Sequence, residues 1–245
     1  MKKNPVSIPH TVWYADDIRR GEREAADALG LTLYELMLRA GEAAFQVCRS
    51  AYPDARHWLV LCGHGNNGGD GYVVARLAKA IGIDVTLLAQ ESDKPLPEEA
   101  ALAREAWLNA GGEIHASNIV WPESVDLIVD ALLGTGLQQA PRESISQLID
   151  HANSHPAPIV AVDIPSGLLA ETGATPGAVI NADHTITFIA LKPGLLTGKA
   201  RDVTGHCILT HCGWIDGWQV RRRKFQRFFG RTTFSVADTA SPDFA

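Results

Sequence analysis

Three polar, glycine-bearing segments hold most of the side chains in this sequence that could do chemistry. They are Gly63-His-Gly-Asn-Asn-Gly-Gly-Asp-Gly71, Asp130-Ala-Leu-Leu-Gly-Thr-Gly136 and Asp163-Ile-Pro-Ser-Gly167. Gly63, Gly65 and Gly68 spell G-x-G-x-x-G, a spacing that lets the backbone approach a pyrophosphate at the positive end of a helix. By itself the pattern also fits a tight turn with helix caps. A hydride-transfer fingerprint further wants an acid about 20 positions on, at the end of the next strand, whereas Asp84 begins that strand. No G-K-[ST] follows, so a Walker A loop is excluded. Asn66, Asn67 and Asp70 supply more side-chain donors and acceptors than a dehydrogenase loop needs.

Asp130 and Asp163 lie near the ends of apolar runs, where an ionised carboxylate is costly unless paired, hydrogen-bonded or bound to a cation. Either alone could simply cap the next loop; two on parallel strands opening onto the same edge point to function. If Asn67, Asp130 and Ser166 meet, they offer oxygen ligands only, which suits a hard cation rather than zinc or copper. The stretch His206-Cys-Ile-Leu-Thr-His-Cys212 does not make a zinc site on a strand. Cys207 and His211 would share a face about 13 Å apart, and His206 and Cys212 the other face about 20 Å apart. His64 is either a proton donor or an exposed loop residue, and Lys192 either reaches the same crevice or is a solvated turn lysine.

The elements around these segments alternate. Residues 14–52 read as two helices, the second capped by Thr32 with Glu35 completing a capping box. Strand-like runs follow at His57–Cys62, Asp84–Ala89, Val125–Leu132, Pro158–Ile164, His184–Ile189 and His206–Thr210. Helical runs at Gly71–Ile81, Pro97–Ala110 and Arg142–Ala152 separate the first four. Crossovers of this length predict a three-layer αβα sandwich, an α/β fold with a Rossmann-like, mainly parallel sheet. Ligands of such sheets bind beyond the carboxyl ends of the strands, near the reversal of strand order, and all three polar segments fall there.

With 245 residues, 46% hydrophobic and 20% charged, the chain suits one globular domain with a sizeable core. No run of 18 apolar residues and no secretory h-region is present, so neither a membrane span nor secretion is expected, and the default compartment is the cytoplasm. Cys48, Cys62, Cys207 and Cys212 are too sparse for a disulfide scaffold and read as reduced. The net charge of −6 argues against nucleic acid as the main partner. It divides unevenly: residues 217–245 hold six basic and two acidic side chains, a net of +4, which leaves −10 for residues 1–216.

Several motifs in order carry a family likeness. Gly65-Asn-Asn-Gly-Gly-Asp-Gly71 with Val74-Ala-Arg76, Asp130 to Gly136, Val162-Asp-Ile-Pro-Ser-Gly167, and Thr185-Ile-Thr-Phe188 with Lys192 and Gly194 resemble the YjeF N-terminal domain family, the NAD(P)H-hydrate epimerases. The likeness runs from about residue 12 to about residue 215. It implies an isomerase of metabolite repair that interconverts the R and S hydrates of NADH and NADPH (NADHX and NADPHX), feeding the S epimer to an ADP-dependent dehydratase. It also implies that Asn66, Asn67, Gly68, Gly69 and Asp70, together with Gly134, Thr135, Gly136, Leu137, Gln138, Gln139 and Ala140, bind the dinucleotide substrate. Asp163 would face the hydrated ring, with Asp163 and Lys192 as the catalytic candidates. Asn67, Asp130 and Ser166 would ligate a potassium ion. A homo-oligomer without membrane or nucleic-acid partners is expected.

Residues 1–216 are therefore expected to form the epimerase domain, and 217–245 an atypical basic tail, read either as a frameshift product or as an interaction tail. Two rival functions keep the fold but not the chemistry: a Rossmann-like scaffold without catalysis, and an NAD(P)-dependent oxidoreductase.

Overall fold

A computed structural model describes residues 12–117, 120–122, 124–210 and 237–238. Helices α1 (Ala15–Leu29) and α2 (Leu33–Ala51) open the chain, and Thr32 starts α2 through the expected capping box. Its Oγ1 accepts from Glu35 N at 3.1 Å while Thr32 N donates to Glu35 Oε2 at 2.7 Å. Then follow β1 (His57–Cys62), α3 (Asn66–Ala80), β2 (Asp84–Ala89), α4 (Glu98–Asn109), β3 (His115–Ala116), β4 (Leu127–Ala131) and α5 (Glu143–Ser154). The last described elements are β5 (Ile159–Val162), β6 (His184–Phe188), a 3-10 turn (Pro193–Leu195), α6 (Ala200–Val203), β7 (His206–Thr210) and the two-residue β8 (Ala237–Asp238).

All described pairings are parallel, in the order β3-β2-β1-β4-β5-β6-β7, with β8 on the outer edge of β7. Strand order reverses between β1 and β4, where Leu61 lies beside Asp130. Successive side chains of β1 point to opposite faces. Trp58, Val60 and Cys62 enter the core beneath α2, α3 and α4, whereas Leu59 and Leu61 join Ile128, Ile145 and Ile149 beneath α5. This produces the expected three-layer αβα sandwich. No described helix is long and apolar enough to cross a membrane. Cys48, Cys62 and Cys207 are free thiols, and burial pushes Cys48 up to about 12; Cys212 lies outside the described residues, as does all of the 217–245 tail except β8.

The strands expected at Val125–Leu132 and Pro158–Ile164 are shorter, at Leu127–Ala131 and Ile159–Val162, and the largest departure from the sequence reading is the start of α3. The glycine-rich segment is not a loop up to Gly71, because α3 starts at Asn66. Glycine usually weakens a helix by roughly 1 kcal/mol relative to alanine, yet here close approach requires it. A Cβ on Gly68 would lie 2.1 Å from the Gly63 carbonyl oxygen, and one on Gly71 would lie 2.8 Å from Cys62 Sγ. The missing side chains let the first turns of α3 seat directly on the ends of β1 and β4. Short β3 and α6, and the 3-10 turn after Lys192, carry too little periodicity to be read from sequence.

Candidate active site

The amino end of α3, the loop after β4 and the turns after β5 and β6 meet at the carboxyl edge of the sheet, beside its reversal point. Helix α1 covers them, and together they enclose a cavity of about 760 Å³. Gly65, in extended conformation, caps α3, so the unpaired amides of its first turn face this space. Asn66, Asn67 and Asp70 line it from α3; Gly134, Thr135, Gly136 and Leu137 line it from the β4 loop. Gly68 and Gly69 are buried in the helix seat behind, and Gln138, Gln139 and Ala140 lie exposed beyond the lining. His64 is at the rim, its Nε2 3.2 Å from the Pro95 carbonyl oxygen.

Under the cavity floor lies a nest of oxygens. Asp130 is fully buried at the end of β4. Ser166 Oγ donates to its Oδ1 at 2.6 Å and Ser166 N to its Oδ2 at 2.8 Å, while Leu132 N approaches Oδ1 at 3.2 Å. Burial nevertheless dominates and pushes the Asp130 carboxyl up to about 6. Asn67 Nδ2 donates to the Leu133 carbonyl at 3.0 Å, fixing the amide so that Oδ1 is the acceptor left over. That Oδ1 is buried without a hydrogen-bond partner, a position that costs roughly 1–3 kcal/mol. The three residues expected to share a cation thus converge on the Leu132-Leu133 loop with one acceptor unused.

The adjacent strands β5 and β6 end alike. Asp163 has φ +65° and Ile189 φ +67°, and each sits at the centre of a three-residue turn. Ile164 N donates to Val162 O at 2.8 Å across the first, and Ala190 N to Phe188 O at 2.7 Å across the second. These are left-handed γ-turns, a strained form that β-branched Ile189 in particular disfavours. Their effect is to bring Asp163 and Lys192 together. Lys192, 2% exposed, makes an ion pair with Asp163 Oδ1 and donates to Thr187 Oγ1 at 2.8 Å and Phe188 O at 3.1 Å. All three ammonium protons are engaged, so Lys192 acts as a fixed positive charge rather than a solvated turn lysine.

Three further acids, Asp70, Glu22 and Glu99, line the cavity. Burial, reinforced by the Asp163 and Glu22 charges, pushes Asp70 well above the usual carboxylate range. Glu22 of α1, absent from the sequence-derived set, is pushed up to about 7 by burial first and the Asp163 charge second. Its signal was its position on the inner stripe of an amphipathic helix. Gln90, the first residue after β2, also lines the cavity. A dehydrogenase fingerprint would place an acid there, so this corner weighs against the oxidoreductase reading.

Comparison with known proteins matches residues 33–194 to the family described as YjeF-related protein N-terminus. The chain belongs to that family. Among curated relatives of this YjeF-related chain, the bifunctional NAD(P)H-hydrate repair enzyme Nnr of Escherichia coli K12 is 91% identical over 229 residues, 93% of this chain and 44% of that protein. The bifunctional NAD(P)H-hydrate repair enzyme of Leishmania braziliensis is 50% identical over 213 residues, 85% of this chain and 38% of that protein. The chain thus spans less than half the length of the curated relatives it matches. The crystal structure of yeast ynu0, YNL200c, shares the fold at 24% identity with a TM-score of 0.66, covering 75% of this chain and 82% of that one.

Proposed function

We propose that this YjeF-related chain epimerises the C6 hydrates of NADH and NADPH. The observation that carries the reading is the buried Lys192 locked onto Asp163, on the same cavity as the amino end of α3. The family and the names of the relatives supply the substrate class. The hydrate carries a hydroxyl on the carbon next to the ring nitrogen. If an acid protonates that oxygen, the nitrogen lone pair expels it as water and leaves a flat iminium, which water can re-enter from either face. No electrons are exchanged, so the nucleotide is substrate and not hydride carrier.

In this reading Asn66 and the α3 amides hold phosphate, and Gly134 to Leu137 border the sugar, with Gln138, Gln139 and Ala140 at the outer margin. Asp163 moves a proton at the hydroxyl oxygen and opposes the iminium charge, while Lys192 fixes its carboxylate. Asn67, Asp130 and Ser166 fit a potassium ion by donor chemistry: oxygens only, one buried carboxylate and the unused Asn67 Oδ1. Such an ion would neutralise Asp130 and stiffen the Leu133 loop. The S product is expected to pass to an ADP-dependent dehydratase.

The test separates the R and S hydrates and follows their interconversion by chromatography, with and without protein. Interconversion above the buffer rate is expected. An inactive, folded protein over a range of potassium concentrations would refute the reading.

A further inference from the structure

Helix α1 faces the protein with Ala15, Ile18, Glu22 and Ala26, spaced three, four and four residues apart. Ala15, Ile18 and Ala26 are buried, whereas Glu22 takes the remaining place on the stripe and opens onto the cavity. A carboxyl is a costly choice for such a position, where an apolar side chain would stabilise the packing. The helix is tied across the crevice on both sides. Arg19 Nη1, one turn before Glu22, donates to Thr135 Oγ1 at 3.2 Å. On the other side Ala15 N donates to Glu171 Oε1 at 2.9 Å and Trp13 N to Leu191 O at 2.9 Å, beside Lys192. Glu22 is thereby presented from the cover, while Asp163 stands on the sheet floor.

Glu99 of α4 and Arg142, the residue before α5, line the same cavity, and the charged groups that act on Glu22 stand on different walls. Arg19 and Arg23 come from its own helix, Asp70 from α3, Asp163 from the end of β5 and Lys192 from the turn after β6. Helix α2 presents only apolar side chains to the cavity, among them Leu36 and Met37.

We propose that Glu22 is the second proton-transfer group of the epimerisation, serving the ring face turned to α1 while Asp163 serves the face turned to the sheet. This rests on the epimerase reading above. One acid on one wall can remove and return water only on its own side; inversion at C6 needs a group on each. In one direction, the protonated Glu22 carboxyl gives its proton to the C6 hydroxyl oxygen. The C–O bond breaks, its electron pair leaves with water, and the ring nitrogen lone pair closes the iminium. Water on the sheet side then bonds through oxygen to C6, the C=N pair returns to nitrogen, and the Asp163 carboxylate accepts the released proton. The hydroxyl has changed face. Glu22 is now ionised and Asp163 protonated, the state from which the reverse direction starts; proton exchange with solvent resets it. Burial holds Glu22 up to about 7, which leaves it partly protonated at neutral pH, as a general acid requires.

The experiment uses the full 245-residue chain and its Glu22→Gln variant, with single R or S hydrates in ¹⁸O water. Inversion is read by chromatography and label at C6 by mass spectrometry. Wild type should invert each epimer with uptake of ¹⁸O. Glu22→Gln should invert about 100-fold more slowly or worse, with hydrate binding changed by no more than about threefold. The decisive readout is an asymmetry: the epimer with its hydroxyl on the sheet side should still exchange ¹⁸O without inverting, whereas its counterpart should not. A merely structural role would depress both alike. Wild-type inversion by Glu22→Gln, or equal loss of exchange from both epimers, overturns the proposal while leaving the epimerase reading intact. No inversion by wild type overturns that reading and this one with it. If Glu22→Gln fails to fold by circular dichroism, Glu22→Leu, which completes the apolar stripe, carries the same test.

Discussion

Placing Glu22 on the buried stripe of α1 works against folding, and the penalty has a definite pH dependence. The folded protein holds this carboxyl at about 7, against an ordinary value of 4.5, because burial and Asp163 both disfavour its charge. A raised folded value means that the folded state binds the proton more tightly than the unfolded state. The favourable contribution is complete below pH 4.5 and is lost as pH rises through about 7. Carrying the group across that interval corresponds to about 3 kcal/mol, reduced to roughly 2–3 because Glu22 is only half-buried. Glutamine keeps the shape and never ionises. Glu22→Gln should therefore match wild type at pH 4.5 and exceed it by about 2–3 kcal/mol at pH 8.5, a gain of about 5–10 °C in Tm for a domain of this size. Thermal melts of both proteins across that range measure it. A difference that does not grow with pH, or a glutamine variant less stable at pH 8.5, would refute the placement of Glu22 in a desolvated site.

Asp163→Asn suits the same left-handed backbone but cannot carry a proton, and epimer interconversion should fall by about 10²–10⁴-fold at initial rates with hydrate binding little changed. Asp130→Ala removes the only formal negative charge of the oxygen nest and should abolish any dependence of the rate on potassium; an unaltered dependence would take Asp130 out of the site. Asn66→Ala should weaken hydrate binding by about 1–3 kcal/mol in a titration while leaving the bound reaction near normal. Gly68→Ala forces a Cβ to 2.1 Å from a backbone carbonyl oxygen and should cost more than about 3 kcal/mol in denaturant melts. Gly65→Ala, whose Cβ would meet nothing within 4 Å, should leave stability nearly unchanged.

Long periodic elements announced themselves. The strands from His57, Asp84, His184 and His206 start where the sequence pattern puts them, because alternating or continuous apolar runs leave a sheet as the only place to bury them. The start of α3 was hidden because glycine and asparagine signal a turn when read alone. Only the neighbouring β1 and β4 ends, too close for any Cβ, turn that signal into a helix. The carboxylates at the end of β4 and just after β5 were legible as charges that an apolar run needs a reason to carry. That Lys192 spends all its donors on Asp163, Thr187 and Phe188 was not legible, since it depends on two γ-turns that no spacing encodes. Glu22 went unread for a plainer reason: on a helix with Asp16, Asp17 and Glu24, one more acid is conspicuous only once its face is known.

The left-handed γ-turn at Asp163 also limits which replacements this position can sample. Glycine tolerates φ +65° freely, and asparagine and aspartate tolerate it through their short polar side chains; glutamate, alanine and the branched residues do so poorly. Of the residues that the backbone accepts readily, only aspartate has a carboxylate. Random drift at position 163 therefore meets neutral side chains that fold as well or better but carry no charge, and the longer acid that would keep the charge fits the turn badly. Whatever selection retains at this position must act on the carboxylate itself, since the turn alone would be as content with glycine.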